Sequence, residues 1–64
     1  MVRTYTLYLR DGGDQTRFEP ALCRDDVEAL ARARELLALH PECESVEAYF
    51  GDAHLFTVTA KPVS

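Results

Sequence analysis

The chain predicts an α+β domain in the order ββαββ, a four-stranded antiparallel sheet with one amphipathic helix packed on one face. Three observations predict it. The run Thr4-Tyr5-Thr6-Leu7-Tyr8-Leu9-Arg10 is β-branched and aromatic and alternates with period two. The stretch from about Asp26 to about His40 carries apolar residues at helical spacing behind a capping signature. Val46 to Phe50 and His54 to Ala60 repeat the strand pattern around Gly51-Asp52.

The first strand (about 3–10) places Tyr5, Leu7 and Leu9 on one face and Thr4, Thr6, Tyr8 and Arg10 on the other. Asp11-Gly12-Gly13-Asp14 tolerates positive φ and turns the chain into a hairpin. The return strand (about 15–22) takes Phe18 and Leu22 as its apolar anchors. Pro20 removes a backbone donor, so this strand lies at an edge or ends early.

Asp25 and Glu28 have capping-box spacing, and Asp26 adds negative charge to the first turn, where the helix dipole favours it. At 100° per residue Leu30, Ala33 and Leu37 define the apolar arc. Val27 and Ala38 flank it on one side, Ala29 and Leu36 on the other. Glu28, Arg32 and Glu35 lie opposite, with Glu28 and Arg32 ordered as an i,i+4 pair. Arg34 falls inside the apolar sector, where its stem is expected to run along the edge of the core. His40-Pro41 stops the helix.

After the polar loop Glu42-Cys43-Glu44-Ser45, the last two strands (about 46–50 and 54–60) form a second hairpin. A three-residue loop, Gly51-Asp52-Ala53, sets Val46 opposite Val58 and Ala48 opposite Phe56, with Phe50 beyond them on the same face. A two-residue loop would mix the faces. The tail Lys61-Pro62-Val63-Ser64 is expected to fray. Arginine recurs at 3, 10, 17 and 24, but no other residue type follows that period, so there is no repeat.

The 64 residues are read as one domain, 1–64, near the lower limit of independent folding. A core of this size supplies only about 3–5 kcal/mol, and small domains often add a disulfide, a metal or a second subunit. The helix separates Cys23 from Cys43 by roughly 22 Å, and bridged Cα atoms lie within about 7 Å. Both thiols are therefore expected free, in a reducing cytoplasm. Cys23 reads as a small core residue and Cys43 as a loop residue. His40 and Cys43 have plausible local spacing for a metal, but Cys23 lies at the far end of the helix and His54 must be brought in by the fold, so neither a metal nor a cofactor is expected. A net charge of -4 offers phosphate backbones and anionic lipid no general attraction, and no apolar run approaches a membrane span.

No carboxylate, histidine or nucleophile falls in a catalytic pattern, and Gly12-Gly13 precedes a strand rather than a helix, so the chain is not expected to be an enzyme. One helix covers one face of the sheet. The other is expected to carry Thr4, Thr6, Tyr8, Arg10, Glu47, Tyr49, Leu55, Thr57 and Thr59. Among these Thr6, Tyr8, Arg10, Tyr49, Leu55 and Thr57 are the candidate partner-binding residues, for a homodimer or a protein partner. Stacking of single-stranded nucleic acid or a small ligand on Tyr8 and Tyr49 is the alternative use of such a face.

The run Cys23-Arg24-Asp25-Asp26-Val27-Glu28-Ala29-Leu30-Ala31-Arg32-Ala33, with Tyr5-Thr6-Leu7-Tyr8 before it and Val46-Glu47-Ala48-Tyr49 and Gly51 after it, resembles a group of short proteobacterial proteins of unknown function. The resemblance implies a bacterial hairpin-helix-hairpin domain with no catalytic residues to carry over. Asp26-Val27-Glu28-Ala29-Leu30 after a hairpin also resembles HicB-type antitoxins, which implies a toxin-neutralising or regulatory role. The proline-aspartate-leucine-proline-glycine stretch those proteins carry before the helix is missing here.

Overall fold

The computed structural model describes residues 1–13 and 16–60, and the order ββαββ is found in them. Strands β1 (Arg3–Arg10), β2 (Thr16–Cys23), β3 (Ser45–Phe50) and β4 (Ala53–Thr59) form one antiparallel sheet in the order β2-β1-β3-β4. Helix α1 (Asp26–Leu39) packs on one face of it. Asp14 and Gln15, expected in the first turn and at the start of the return strand, lie outside the described residues, as does the tail 61–64.

β1 and β3 take the centre because their alternation gives the most apolar inner face: Tyr5, Leu7, Leu9, Val46 and Ala48 are all buried. Pro20 lies on the edge strand β2, as its missing N–H requires, but does not shorten it. In the first turn Gly12 adopts φ 86°, and the Gly13 N–H donates to Asp11 Oδ1 at 2.9 Å. The chain passes close to the loop before β3 here. A Cβ at Gly12 would lie 2.5 Å from the Glu44 carboxyl carbon, and the Glu44 N–H donates to the Arg10 carbonyl at 2.7 Å.

The expected register of the second hairpin is found, with Val46 opposite Val58 and Ala48 opposite Phe56. Its cause differs from the expected three-residue loop. Phe50 pairs with Ala53, so the loop is only Gly51-Asp52. Gly51 has φ 61° and Asp52 does not have positive φ, as a type II′ turn requires. The extra residue sits in the strand instead. Tyr49 pairs with His54 while Ala48 pairs with Phe56, which leaves Leu55 unpaired in a β-bulge.

The Asp25 side chain accepts the Glu28 N–H at 2.9 Å, closing the predicted N-cap. The Glu28 carboxylate reaches back to the Arg24 N–H at 3.0 Å, so it is not the partner of Arg32, which pairs with Glu35. At the other end the His40 N–H donates to the Leu36 carbonyl at 3.0 Å.

The helix is rolled from the predicted orientation. Ala29, Ala33 and Leu36 are its buried residues, Leu30 and Leu37 are half-buried, and Val27 and Ala38 are exposed. The buried centre lies roughly 65° from the predicted arc at 100° per residue. Arg34 consequently projects into solvent rather than along the core. The cause is close approach. Alanines at 29 and 33 meet a sheet that offers Ala21 and Ala48, so the helix sits on its small side chains.

The same roll brings Asp26 toward the sheet, where the fully buried Tyr5 donates its hydroxyl to Asp26 Oδ1 at 2.9 Å. Burial, and then the hydrogen bond and charge of Asp26, push the Tyr5 hydroxyl above its ordinary value of 10.0. The folded state thus holds this proton more tightly than the unfolded chain. Its contribution is complete below the unfolded value and is lost as pH rises through the folded one. We expect stability to fall above about pH 10, with Tyr5 ionising only as the chain unfolds. Tyr5→Phe should weaken this alkaline loss while removing the tether; denaturant melts between neutral pH and about pH 11 check both.

Cys23 and Cys43 are free and buried. Cys43 lies in the loop before β3 as expected, yet it is part of the core cluster rather than a surface loop residue. Burial, followed by the nearby Glu28 charge, pushes the Cys23 thiol up, away from reactivity.

Candidate interaction face

The face away from the helix is set by the register. Thr6 pairs with Pro20 and Tyr49, and Tyr49 with His54, so these four share one row across all four strands. The adjacent row holds Phe18, Tyr8, Glu47 and Thr57. Aromatic contacts cross the sheet without a break. Tyr8 lies 6.1 Å from Phe18 and 5.1 Å from Tyr49, and Tyr49 lies 5.2 Å from His54, the last two pairs edge to face.

Five of the six candidate residues meet here. Thr6, Tyr8 and Tyr49 are half-buried by their neighbours, while Arg10 and Thr57 are exposed. Arg10 Nε lies 2.7 Å from Glu47 Oε2, the Tyr49 hydroxyl donates to Glu47 Oε1 at 3.4 Å, and Thr57 Oγ1 hydrogen-bonds His54 Nε2 at 2.9 Å. The sixth, Leu55, is the unpaired bulge residue and packs against the core cluster.

Phe18 and Leu22, expected as the core anchors of β2, face outward: Phe18 is opposite Tyr8, Leu22 opposite Thr4, and they are 66% and 73% exposed. Ala21 and Cys23 take the inner positions. The close-lying helix leaves room for small residues there and none for Phe or Leu. With Pro20 between them, Phe18 and Leu22 make an apolar strip beside the tyrosines that size-based assignment missed. The signal was the parity of Ala21 and Cys23 against Phe18 and Leu22. His54 also belongs to this face, because the bulge at Leu55 sets it opposite Tyr49.

Polar groups also gather away from this face. Glu42 accepts from Arg17 Nη2 at 3.1 Å and lies 3.4 Å from His40 Nδ1, with Arg17 Nη2 4.0 Å from Cys43 Sγ. The Glu42 backbone N–H, then His40 and Arg17, hold its carboxyl below the usual carboxylate range. An open cleft of about 520 Å³ is lined by Asp11, Glu42, Cys43, Glu44 and Thr59 among others. Its donors do not converge: among the described residues no three His, Cys, Asp or Glu side chains are grouped to hold a metal. No described helix is long and apolar enough to cross a membrane. No family model, curated protein or solved structure matches this chain.

Proposed function

We propose that this chain is a non-enzymatic protein-interaction module and that its contact surface is the open sheet face. One observation carries the reading: a chain of aromatic contacts, Phe18-Tyr8-Tyr49-His54, crosses all four strands, and its β2 member Phe18 and the neighbouring Leu22 are about two-thirds or more exposed. Aromatic clusters with apolar neighbours are what desolvated interface centres are made of. The polar groups support it. Arg10 and Glu47 satisfy each other, as do His54 and Thr57, so covering the face strands little charge. The same ion pair weighs against a nucleic-acid platform, because the cation a phosphate would seek is already neutralised. The reading places the protein in a reducing, cytoplasmic setting, supported by its two free thiols.

Affinity capture from the native cell tests it. Protein partners, copies of the chain included, should be retained by the wild type and by Leu39→Lys, which alters an equally exposed apolar residue on the helix. They should be lost with Phe18→Lys. Retention by Phe18→Lys, or recovery of nucleic acid alone, would sink the proposal.

A further inference from the structure

Building on that reading, we infer that the occupant of the open face is a second copy of this chain, packed sheet on sheet about a two-fold axis along the row Pro20, Thr6, Tyr49, His54. The first argument is symmetry. Phe18 and Leu22 lie two residues either side of Pro20 and on the same face. A two-fold through Pro20 therefore sets Phe18 of each copy over Leu22 of the other, and Tyr8 over Thr4. This is the reciprocal pairing that an isologous interface needs. The two largest exposed apolar side chains of the face are covered by each other.

Charge is the second argument. The chain carries -4 overall, so two copies repel unless they meet where that charge is absent. On the strands of this face only Arg10 and Glu47 are formally charged, and they are paired at 2.7 Å. The acidic residues of the helix stay on the outside of such a dimer, and Asp52 lies at the rim of the face, beside Tyr8, Arg10 and Tyr49.

Edge geometry is the third. Sheets also associate by adding strand to strand, but both edges are blunted. β2 lacks a donor at Pro20, and β4 is interrupted by the bulge at Leu55. The face is left as the route to association. Four strands at ~4.8 Å spacing and ~3.4 Å per residue give a footprint of roughly 19 by 24 Å. Two such faces bury on the order of 1,000 Å² or somewhat more, at the lower bound of a specific interface. The dimer should accordingly dissociate on dilution.

Sedimentation equilibrium over a wide concentration range tests this. The wild type and Leu39→Lys should shift from monomer to dimer mass as concentration rises. Phe18→Lys and Leu22→Glu should each associate at least roughly tenfold more weakly, with circular dichroism unchanged. Mixed one to one, these two variants should regain association. The introduced lysine of one copy then lies over the introduced glutamate of the other, while the Leu22 and Phe18 that remain keep their contact. A wild type that stays monomeric overturns the inference. So do Phe18→Lys and Leu22→Glu variants that dimerise as well as the wild type, and a mixture that gains nothing. If the wild type is monomeric but capture from the cell still depends on Phe18, the protein-interaction reading stands and only the second copy is rejected; if capture does not depend on Phe18 either, both fall.

Discussion

Leu7→Ala should leave the chain largely unfolded at 25 °C, with its far-ultraviolet circular dichroism collapsed and no cooperative melt. Leu7 is fully buried at the centre of β1, across from Ala48 on β3, a side chain too small to fill the space it vacates. Truncating a leucine in such a site costs about 2–5 kcal/mol, toward the upper end when the surroundings cannot collapse. A domain of this length holds only about 3–5 kcal/mol in its core. Loss and reserve are therefore of equal size, so one core residue decides whether the fold exists. Leu7→Met, which nearly conserves volume, should keep the fold with a loss under about 1.5 kcal/mol. If Leu7→Ala melts cooperatively within a few degrees of the wild type, the core has been misplaced.

Ala33→Leu should lower Tm by about 4–24 °C although it adds apolar volume to the helix. Ala33 is fully buried, and with Ala29 it lets the helix lie directly on the sheet. A leucine must either lift the helix or leave its preferred rotamers, at about 1–3 kcal/mol, and each kcal/mol shifts Tm by about 4–8 °C at this size. Lifting the helix would also stretch the Tyr5 hydroxyl from Asp26. Ala31→Leu, on the exposed side of the same helix, should change Tm little. Thermal melts of the pair measure the difference; equal melting temperatures would mean that the helix is not seated on its alanines.

Much of the fold could be read from the chain because its local signals agree with its packing. Period two in β1, the Asp25 and Glu28 cap and the glycines of both turns each point to the element that forms. What could not be read is how closely the layers approach. Hydrophobicity ranks Leu30 and Leu37 above Ala29, and Phe18 and Leu22 above Ala21 and Cys23. Both orderings invert when a helix seats on small side chains. That inversion moved Arg34 from the core edge to solvent and moved Phe18 and Leu22 onto the open face. The tyrosines, Thr6, Arg10 and Thr57 were legible as a face because strand parity alone decides them. Leu55 was not, since a surplus residue stored in the strand gives the same facing pairs as one stored in the loop.

The bulge at Leu55 joins two demands that a hairpin usually meets separately. One surplus residue has to be stored somewhere if Phe56 and Val58 are to point inward. Storing it in the turn would give a straight outer strand, with every outward backbone group in line for a neighbour. Stored within β4, it corrects the phase of the hairpin and breaks the line of the outermost strand at once. A domain with so little stability in reserve opens often, and its neighbours in a crowded cell meet it part-open. A crooked outermost strand withholds, even from a part-open molecule, the unbroken ladder from which fibrils grow.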